Sequence, residues 1–161
     1  MIIVCDSSAL FALAICNKLD LLDKLYDKVF LPLAVFHEST IIGKPHAEMI
    51  NVWGKDKVVK ITDDKLFQAV HFVLDTGEAE AITLYKEKSA DALLIDEQKG
   101  RKIAEYYNIN IIGTLGILLK AKHEGIISEI SPSVQLLRQS KIRISDELYN
   151  TILELAGESC N

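Results

Sequence analysis

The sequence predicts an α/β domain with a central parallel sheet, helices on both faces and a helical C-terminal addition. Short apolar runs alternate with segments that repeat apolar residues at helical spacing, which is typical of a parallel sheet. Of the 161 residues, 49% are hydrophobic and 25% are charged, so the chain can bury the core of one domain. No linker, repeat or low-complexity tract interrupts it. We expect the α/β domain to span 1–127, with 128–161 packed on it as helices.

The predicted strands are apolar, largely β-branched runs that stop at polar residues or turns. The first run ends at Asp6, the second contains Pro32 as its last residue, and the fourth ends at Asp96. Such runs are typical of strands that are buried on both faces. The predicted strands cover residues 2–5, 28–32, 58–61, 92–95 and 109–112.

The predicted helices fill the intervals between the strands and the end of the chain. Asp6 or one of the two serines after it is expected to cap the first helix, which breaks near Asn17. Thr62 or Asp63 is expected to cap another helix, and Glu78 is expected to open the next one after a turn over 75–77. Further helices are expected over 33–39, after Pro45 as far as 56, and over 97–107, 115–124 with Gly125 as its C-terminal cap, 132–139 and 146–156.

The charge balance restricts how this chain could meet nucleic acid. It has 18 Lys and Arg against 23 Asp and Glu, giving a formal net charge of −5 and a sequence pI near 5.4. Coating a nucleic acid through bulk charge requires many basic side chains, so that class of protein is disfavoured. A local basic patch or bound cations could still serve an enzyme that acts on nucleic acid.

The cysteines and the apolar start of the chain indicate a cytoplasmic protein. Cys5, Cys16 and Cys160 are odd in number and lack CxxC spacing, so we expect reduced thiols and neither a disulfide framework nor a zinc site. Residues 1–16 lack a basic leader and contain Asp6, which disfavours a signal peptide. No other stretch approaches the ~18 to 20 apolar residues of a spanning helix, so no membrane association is expected.

Four acidic residues are placed to meet at one edge of the predicted sheet. Asp6 and Asp96 each end a buried strand, and the carboxyl ends of parallel strands share an edge. Glu78 opens a helix at that edge, and Glu38 arrives from a different helix. Carboxylates gathered in this way repel one another unless they are protonated or bind cations, and an all-oxygen set suits Mg²⁺ or Mn²⁺ better than zinc. Two such ions about 4 Å apart are a known arrangement for phosphodiester cleavage.

The order of several motifs resembles that of the PIN-domain ribonucleases. The motif-bearing runs are residues 2–8, Glu38 after 35–37, 77–82 and 93–97. The further runs 100–104, 112–116 and 121–126 are similar to a prokaryotic PIN subgroup of unknown function, which in plan resembles toxins of type II toxin-antitoxin modules. The resemblance covers residues 1 to about 127.

The resemblance implies a Rossmann-like, three-layer α/β/α PIN fold and a Mg²⁺- or Mn²⁺-dependent endoribonuclease. Carried over by position, Asp6, Glu38, Glu78 and Asp96 would be the catalytic and metal-binding acids. Glu80 stays open as an alternative to Glu78, and Glu97 is a candidate accessory ligand. In the implied reaction, water attacks phosphorus in line and leaves a 5′-phosphate and a 3′-hydroxyl.

The resemblance also suggests which residues meet the substrate and which partners to expect. Ser7 and Thr114 occupy positions where family members have hydroxyls near the phosphate or the metal. Lys99, Arg101 and Lys102 lie one turn beyond Asp96 and could hold the RNA backbone, offsetting the net charge locally. RNA is the expected substrate, and a homodimer partner and an antitoxin protein are the expected protein partners.

Each of these residues also has a purely structural interpretation. Asp is a common helix N-cap, which could explain Asp6 and Asp96, and Glu78 could simply favour a helix N-terminus. Lys99, Arg101 and Lys102 could simply form the solvent-exposed face of an amphipathic helix. The competing function is therefore a non-catalytic PIN-like module that binds RNA or protein. A phosphatase or receiver-like switch at Asp6 is disfavoured because both following residues are Ser, and Ile41 excludes an HExxH zinc motif after His37.

Overall fold

A five-stranded, all-parallel sheet forms the centre of the structure, a computed structural model that describes residues 1–140 and 142–158. The strand order is β3-β2-β1-β4-β5, so the first strand lies in the middle. Ile3 pairs with Val29 on one side and with Ala92 on the other. The strands are β1 Ile2–Cys5, β2 Lys28–Pro32, β3 Val58–Val59, β4 Ala92–Leu94 and β5 Ile111–Ile112.

Helices follow the strands and cover both faces of the sheet. Those before β4 are α1 Ser7–Ile15, α2 Asp20–Leu25, α3 Leu33–Ser39, α4 Ala47–Gly54, α5 Asp64–His71 and α6 Thr76–Glu87. The later ones are α7 Gln98–Tyr106, α8 Thr114–His123, α9 Ser131–Gln139 and α10 Asp146–Leu155.

Two separate hydrophobic cores lie on the two faces, which makes the fold three-layered. Side chains alternate between the faces of a strand, so Ile3 and Cys5 enter one core while Val4 enters the other. The first core includes buried side chains of α1, α2, α8, α9 and α10, and the second includes those of α6 and α7. The predicted three-layer α/β/α fold is confirmed.

The predicted strands 58–61, 92–95 and 109–112 are longer than the observed ones. A parallel strand continues only where its neighbour offers backbone groups, and β3 pairs only with Leu31 and Pro32 before the chain turns into α3. Ile61, the apolar residue at the end of the predicted strand, remains outside the ladder. Its hydrophobicity reflects packing against the second core, which sequence alone does not distinguish from pairing.

Two helix predictions also need correction. The turn expected over 75–77 is instead the start of α6, because the Asp75 side chain caps the helix by accepting from the Glu78 N–H at 2.9 Å. The helix expected after Pro45 as far as 56 spans only Ala47–Gly54, since His46 has a φ of 62° and cannot continue a right-handed helix.

The described residues 1–140 and 142–158 contain no helix that is long and apolar enough to cross a membrane. Cys5 and Cys16 are buried free thiols. Burial raises the pKa of Cys16 to about 11, against the hydrogen bond to Ser133, so this thiol stays protonated at neutral pH. Cys160 lies outside the described residues.

Candidate active site

Asp6 and Asp96 lie beside each other where β1 and β4 end. The backbone N–H of Asp6 donates to the Leu94 carbonyl at 2.9 Å, which continues the pairing of the two strands. The Ser8 hydroxyl donates to the Asp6 carboxylate at 2.7 Å and accepts from the Asp96 N–H at 3.3 Å. Asp6 is buried and Asp96 is exposed. Ser8 therefore connects the two acids at the carboxyl edge of the sheet.

Glu78 is buried at the start of α6 between Asp75 and Glu97. One of its carboxylate oxygens accepts from the Asp75 N–H at 3.2 Å. Glu97 caps α7 by accepting from the Gly100 N–H at 2.9 Å and also shares a hydrogen bond with the Glu78 carboxyl group. A Cβ on Gly100 would lie 2.8 Å from a Glu78 oxygen, so the glycine allows α7 to approach this acid.

Glu38 reaches the same region from α3. Its side chain is exposed, and one of its oxygens lies 3.4 Å from the point that a Cβ on Gly77 would occupy. An oxygen of Asp75 lies 3.5 Å from that point. Glu38 and Asp75 therefore flank the first turn of α6, immediately before Glu78.

Burial and mutual repulsion raise the pKa values of the two buried acids. Burial raises the pKa of Asp6, against hydrogen bonds from Ser8, and the charge of Asp75 raises it further. Burial also raises the pKa of Glu78 to about 7, with further contributions from Asp75, Glu97 and Asp6. Burial would raise the pKa of Glu97 as well, but hydrogen bonds from Gly100 and Glu78 lower it. Of the two hydrogen-bonded acids, Glu78 therefore holds a proton more tightly than Glu97.

The four acids are not neutralised by ion pairs. Asp6, Glu38, Glu78 and Asp96 form none within residues 1–140 and 142–158, although Arg101 lies near Asp96. In that part of the chain, no group of three or more His, Cys, Asp or Glu is arranged to hold a metal ion. The carboxylate oxygens of Asp6, Glu78 and Asp96 accept hydrogen bonds from N–H or hydroxyl groups instead. As a donor set, uncompensated carboxylates fit a hard cation such as Mg²⁺ or Mn²⁺.

Glu80 points away from this cluster. Its carboxylate accepts from the Ala34 N–H at 2.8 Å and so supports the first turn of α3. Glu78, which lies only two residues earlier, faces Asp6 and α7. Of the two acids that the sequence left open for the third position, Glu78 is the one at the carboxyl edge.

The hydroxyl residues differ from one another in what they contact. Thr114 donates to Asp96 twice, from its N–H at 2.9 Å and from its hydroxyl at 2.5 Å, and so fixes the carboxylate. Ser7 supports Asp6 only through its backbone N–H, and its hydroxyl makes no hydrogen bond to any described residue. Sequence analysis named Ser8 only as a possible cap of the first helix and placed Asp75 in a turn. An Asp three residues before a Glu is the signal that could have identified Asp75 as the cap of α6.

The basic residues of α7 fall into two groups. Arg101 is half-buried and donates to the Ile95 carbonyl at 3.1 Å, beside Asp96. Both side chains border Gly113, where a Cβ would lie 2.7 Å from an Asp96 oxygen and 3.1 Å from an Arg101 nitrogen. Lys99 and Lys102 are exposed, with Lys99 near Glu97. Arg101 alone is held at the edge that carries the acids.

A parallel sheet with this strand order, and with acids where its central strands end, defines a PIN-like α/β protein. A family model described as a PIN domain matches residues 2–158, so the chain belongs to the PIN-domain family. The match extends beyond residue 127 and includes the C-terminal helices. No curated protein and no solved structure matches the chain significantly. PIN domains are generally nucleases and typically use divalent metals.

Proposed function

We propose that this protein is an endoribonuclease that depends on Mg²⁺ or Mn²⁺ and hydrolyses RNA phosphodiester bonds. The observation that carries the proposal is the set of buried and exposed carboxylates at the carboxyl edge of the sheet, which form no ion pairs with the residues that the structure describes. Burying charge in this way costs stability unless the charge is paired or neutralised. Such a cost is typical of groups that are retained for binding or catalysis.

In this proposal the acids divide the work of holding the ion. Asp6 and Asp96 would hold the principal ion, and Glu38 and Glu78 would complete its shell or hold a second. A bound divalent ion supplies an activated water and offsets the charge that develops on the phosphate. Ser8 would position Asp6, in the same way that Thr114 positions Asp96. Metal binding would require the proton on Glu78 to leave, because carboxylate ligands bind in the ionised form.

The substrate side would be formed by the hydroxyl and basic residues near Asp96. Arg101 is oriented beside Asp96 and could contact a phosphate, with Lys99 on the same helix. The hydroxyls of Ser7 and Thr114 lie at the starts of α1 and α8, next to the acids. Hydrolysis would leave a 5′-phosphate on one product and a 3′-hydroxyl on the other.

The toxin role follows only from the resemblance to toxin-antitoxin modules. An antitoxin partner, a homodimer and a cytoplasmic location likewise remain predictions. Expression of the protein alone is expected to slow growth if the toxin role is correct, and Asp6→Asn is expected to remove that effect.

A non-catalytic PIN-like module is the second candidate function. It is favoured by the capping contacts, since Asp6, Asp75 and Glu97 each accept a backbone N–H at the start of a helix. In that case the acids would be retained for stability, and the protein would bind RNA or a protein without cleaving it.

A nuclease assay with Mg²⁺, Mn²⁺ or EDTA separates these two functions. We expect cleavage of RNA by the wild type with either metal and none in EDTA. Asp6→Asn and Asp96→Asn should each lose more activity than the 10–100-fold typical of residues outside the ligand shell. Glu78→Gln should behave similarly, whereas Glu80→Gln should remain active, because its amide oxygen can still accept from Ala34.

Two results would contradict the proposed enzyme. Cleavage that survives EDTA and both Asp→Asn changes would indicate a different site or a contaminant. Binding of RNA without any cleavage, equally strong in all variants, would favour the non-catalytic module.

A further inference from the structure

A groove of about 590 Å³ begins at Asp96 and runs beside the edge strand β5. Its walls come from β5, from the start of α8 and from the segment 142–148 that leads into α10. Besides Asp96, Gln98, Thr114 and two arginines, the residues that line it are apolar or glycine. They include Ile111, Ile112, Leu115, Ile144 and Leu148.

Two of the three arginines of the chain line this groove. Arg101 and Arg143 have no carboxylate partner within residues 1–140 and 142–158. The third, Arg138, lies outside the groove, where it pairs with Asp146 and stacks on the Tyr149 ring 4.5 Å from its centre. The arginines available to an anionic ligand are therefore concentrated in one place.

An anionic ligand of this acidic protein must be attracted locally. The net charge of −5 repels polyanions as a whole, so phosphates are held only at local cationic groups, and unpaired guanidinium groups are well suited to this. Guanidinium matches phosphate geometry with two parallel hydrogen bonds. Apolar side chains can cover the face of an unstacked base. A volume of about 590 Å³ also lies within the usual range of about 300–1,000 Å³ for ligand pockets.

We propose that this groove binds the single-stranded RNA segment adjoining the cleaved bond. Arg101 and Arg143 would hold phosphates, and the isoleucine and leucine side chains would pack against a base. The proposal rests on the proposed ribonuclease function and gives the C-terminal addition a role in it. Arg143, Ile144 and Leu148 all follow residue 127, so the groove is incomplete without that addition.

Removal of the Arg143 charge tests the groove by loss of binding. Binding of labelled single-stranded RNA is measured by fluorescence anisotropy over a salt series, in an Asp6→Asn background that prevents cleavage. Arg143→Gln should weaken binding about 10-fold, as expected for a charged hydrogen bond, and should reduce the slope of log K against log salt by about 0.7. Arg138→Gln is the matched control, and it should leave the affinity for RNA and the salt slope unchanged.

Addition of a charge to the groove tests it by gain of binding. Leu148→Lys places a cation on the groove wall, and should tighten binding and increase the slope by about 0.7. Leu155→Lys is the control, because both leucines are exposed on α10 but only Leu148 lines the groove. Circular dichroism of each variant verifies that it is folded.

The outcomes separate this proposal from the proposed function. If the wild type cleaves RNA but Arg143→Gln and Leu148→Lys bind like their controls, the groove proposal is overturned and the nuclease stands. If polyglutamate competes as strongly as RNA, the groove is a general acidic-peptide site and the proposal is also overturned. If the Asp6→Asn protein does not bind RNA at all, the proposal that the groove binds RNA is overturned. The proposed ribonuclease function is tested separately, by cleavage of RNA by the wild type.

Discussion

Ser8 is the side chain that holds the two strand-end acids in a fixed relation. It donates to the Asp6 carboxylate and accepts from the Asp96 N–H, whereas the Ser7 hydroxyl makes no hydrogen bond to any described residue. The two serines are neighbours of the same type with similar half-exposed surroundings. They therefore provide a matched pair for measuring the value of this connection.

We expect Ser8→Ala to lower the free energy of unfolding by about 1.5–3 kcal/mol, since hydrogen bonds to charged groups contribute that amount. Its RNA cleavage rate should fall about 10–100-fold, because residues that orient metal ligands have effects of that size. Ser7→Ala should change stability by less than about 0.5 kcal/mol. Urea unfolding measures stability and RNA cleavage measures activity. Equal losses of stability in the two variants would contradict the positioning role.

The raised pKa of Glu78 makes stability depend on pH in a defined direction. Its pKa is about 7 in the folded protein against an ordinary value of 4.5, so the folded state binds the proton more tightly. The stability that protonation of Glu78 contributes is therefore fully present below its ordinary pKa. It is lost as the pH rises through the pKa that Glu78 has in the folded protein. The loss cannot exceed about 1.4 kcal/mol per pH unit for one proton.

We expect the melting temperature of the metal-free wild type to fall as the pH rises from about 5 to 7.5, where Glu78 loses its proton. Glu78→Gln should flatten this dependence, and Glu80→Gln, as the control, should not. Mg²⁺ should restore stability most strongly at the higher pH values, where the ionised Glu78 carboxylate can bind it. Calorimetry over this range measures the effect, and identical profiles for the two variants would rule out Glu78 as the titrating group.

At the scale of elements, several of the acids at the carboxyl edge of the sheet are also helix caps. The side chains of Asp6, Asp75 and Glu97 cap α1, α6 and α7, all at the carboxyl edge of the sheet. The positive ends of these helices partly offset the carboxylate charges. This explains how acids that form no ion pair with any described residue are tolerated in the folded protein.

Glu158 joins the C-terminal addition to the rest of the domain. Its carboxylate accepts from the N–H groups of Ile130 and Ser131 at 2.7 and 2.9 Å and from Lys122 at 2.6 Å. Burial alone would raise the pKa of Glu158, but Lys122 and these N–H groups lower it. Its contribution to stability is therefore present above the ordinary Glu pKa and is lost as the pH falls through the folded value.

We expect Glu158→Gln to lower the free energy of unfolding at neutral pH by about 1–3 kcal/mol, because a charged acceptor of three donors is lost. Glu154→Gln, on the exposed side of α10, should change it by less than about 0.5 kcal/mol. Chemical unfolding is measured near pH 7 and again below the ordinary Glu pKa. The difference in unfolding free energy between the wild type and Glu158→Gln should be smaller at the lower pH. A difference that stays constant would mean that the ion pair is not its source.

At the scale of the whole molecule, the C-terminal helices share a core with the sheet. Val134, Leu137 and Ile152 are buried in the same core as Ile3 and Leu10. Removing them would expose apolar surface of α1 and α8 to water. We therefore propose that residues 128–158 do not form an independent unit, which agrees with the family match through residue 158.

The sequence predicts those features whose causes are local. The bounds of β2 and α3 follow from an apolar run that ends at Pro32, and Gly125 has the positive φ of 72° that a helix C-terminal cap requires. The shorter β3 and β5 were not predictable in this way. Their lengths depend on pairing with strands that are distant in the sequence.

The sequence by itself determined the fold class and family, because periodicity and strand-ending residues are encoded within short stretches. It also placed Asp6 and Asp96 after adjacent parallel strands. Only the tertiary structure decided that Glu78 and not Glu80 faces Asp6, and that Arg143 shares a groove with Arg101. These outcomes depend on how α6 packs against α3, and on how the C-terminal segment packs beside β5. Side-chain directions across such contacts are fixed by the packing of distant elements, which a linear pattern does not contain.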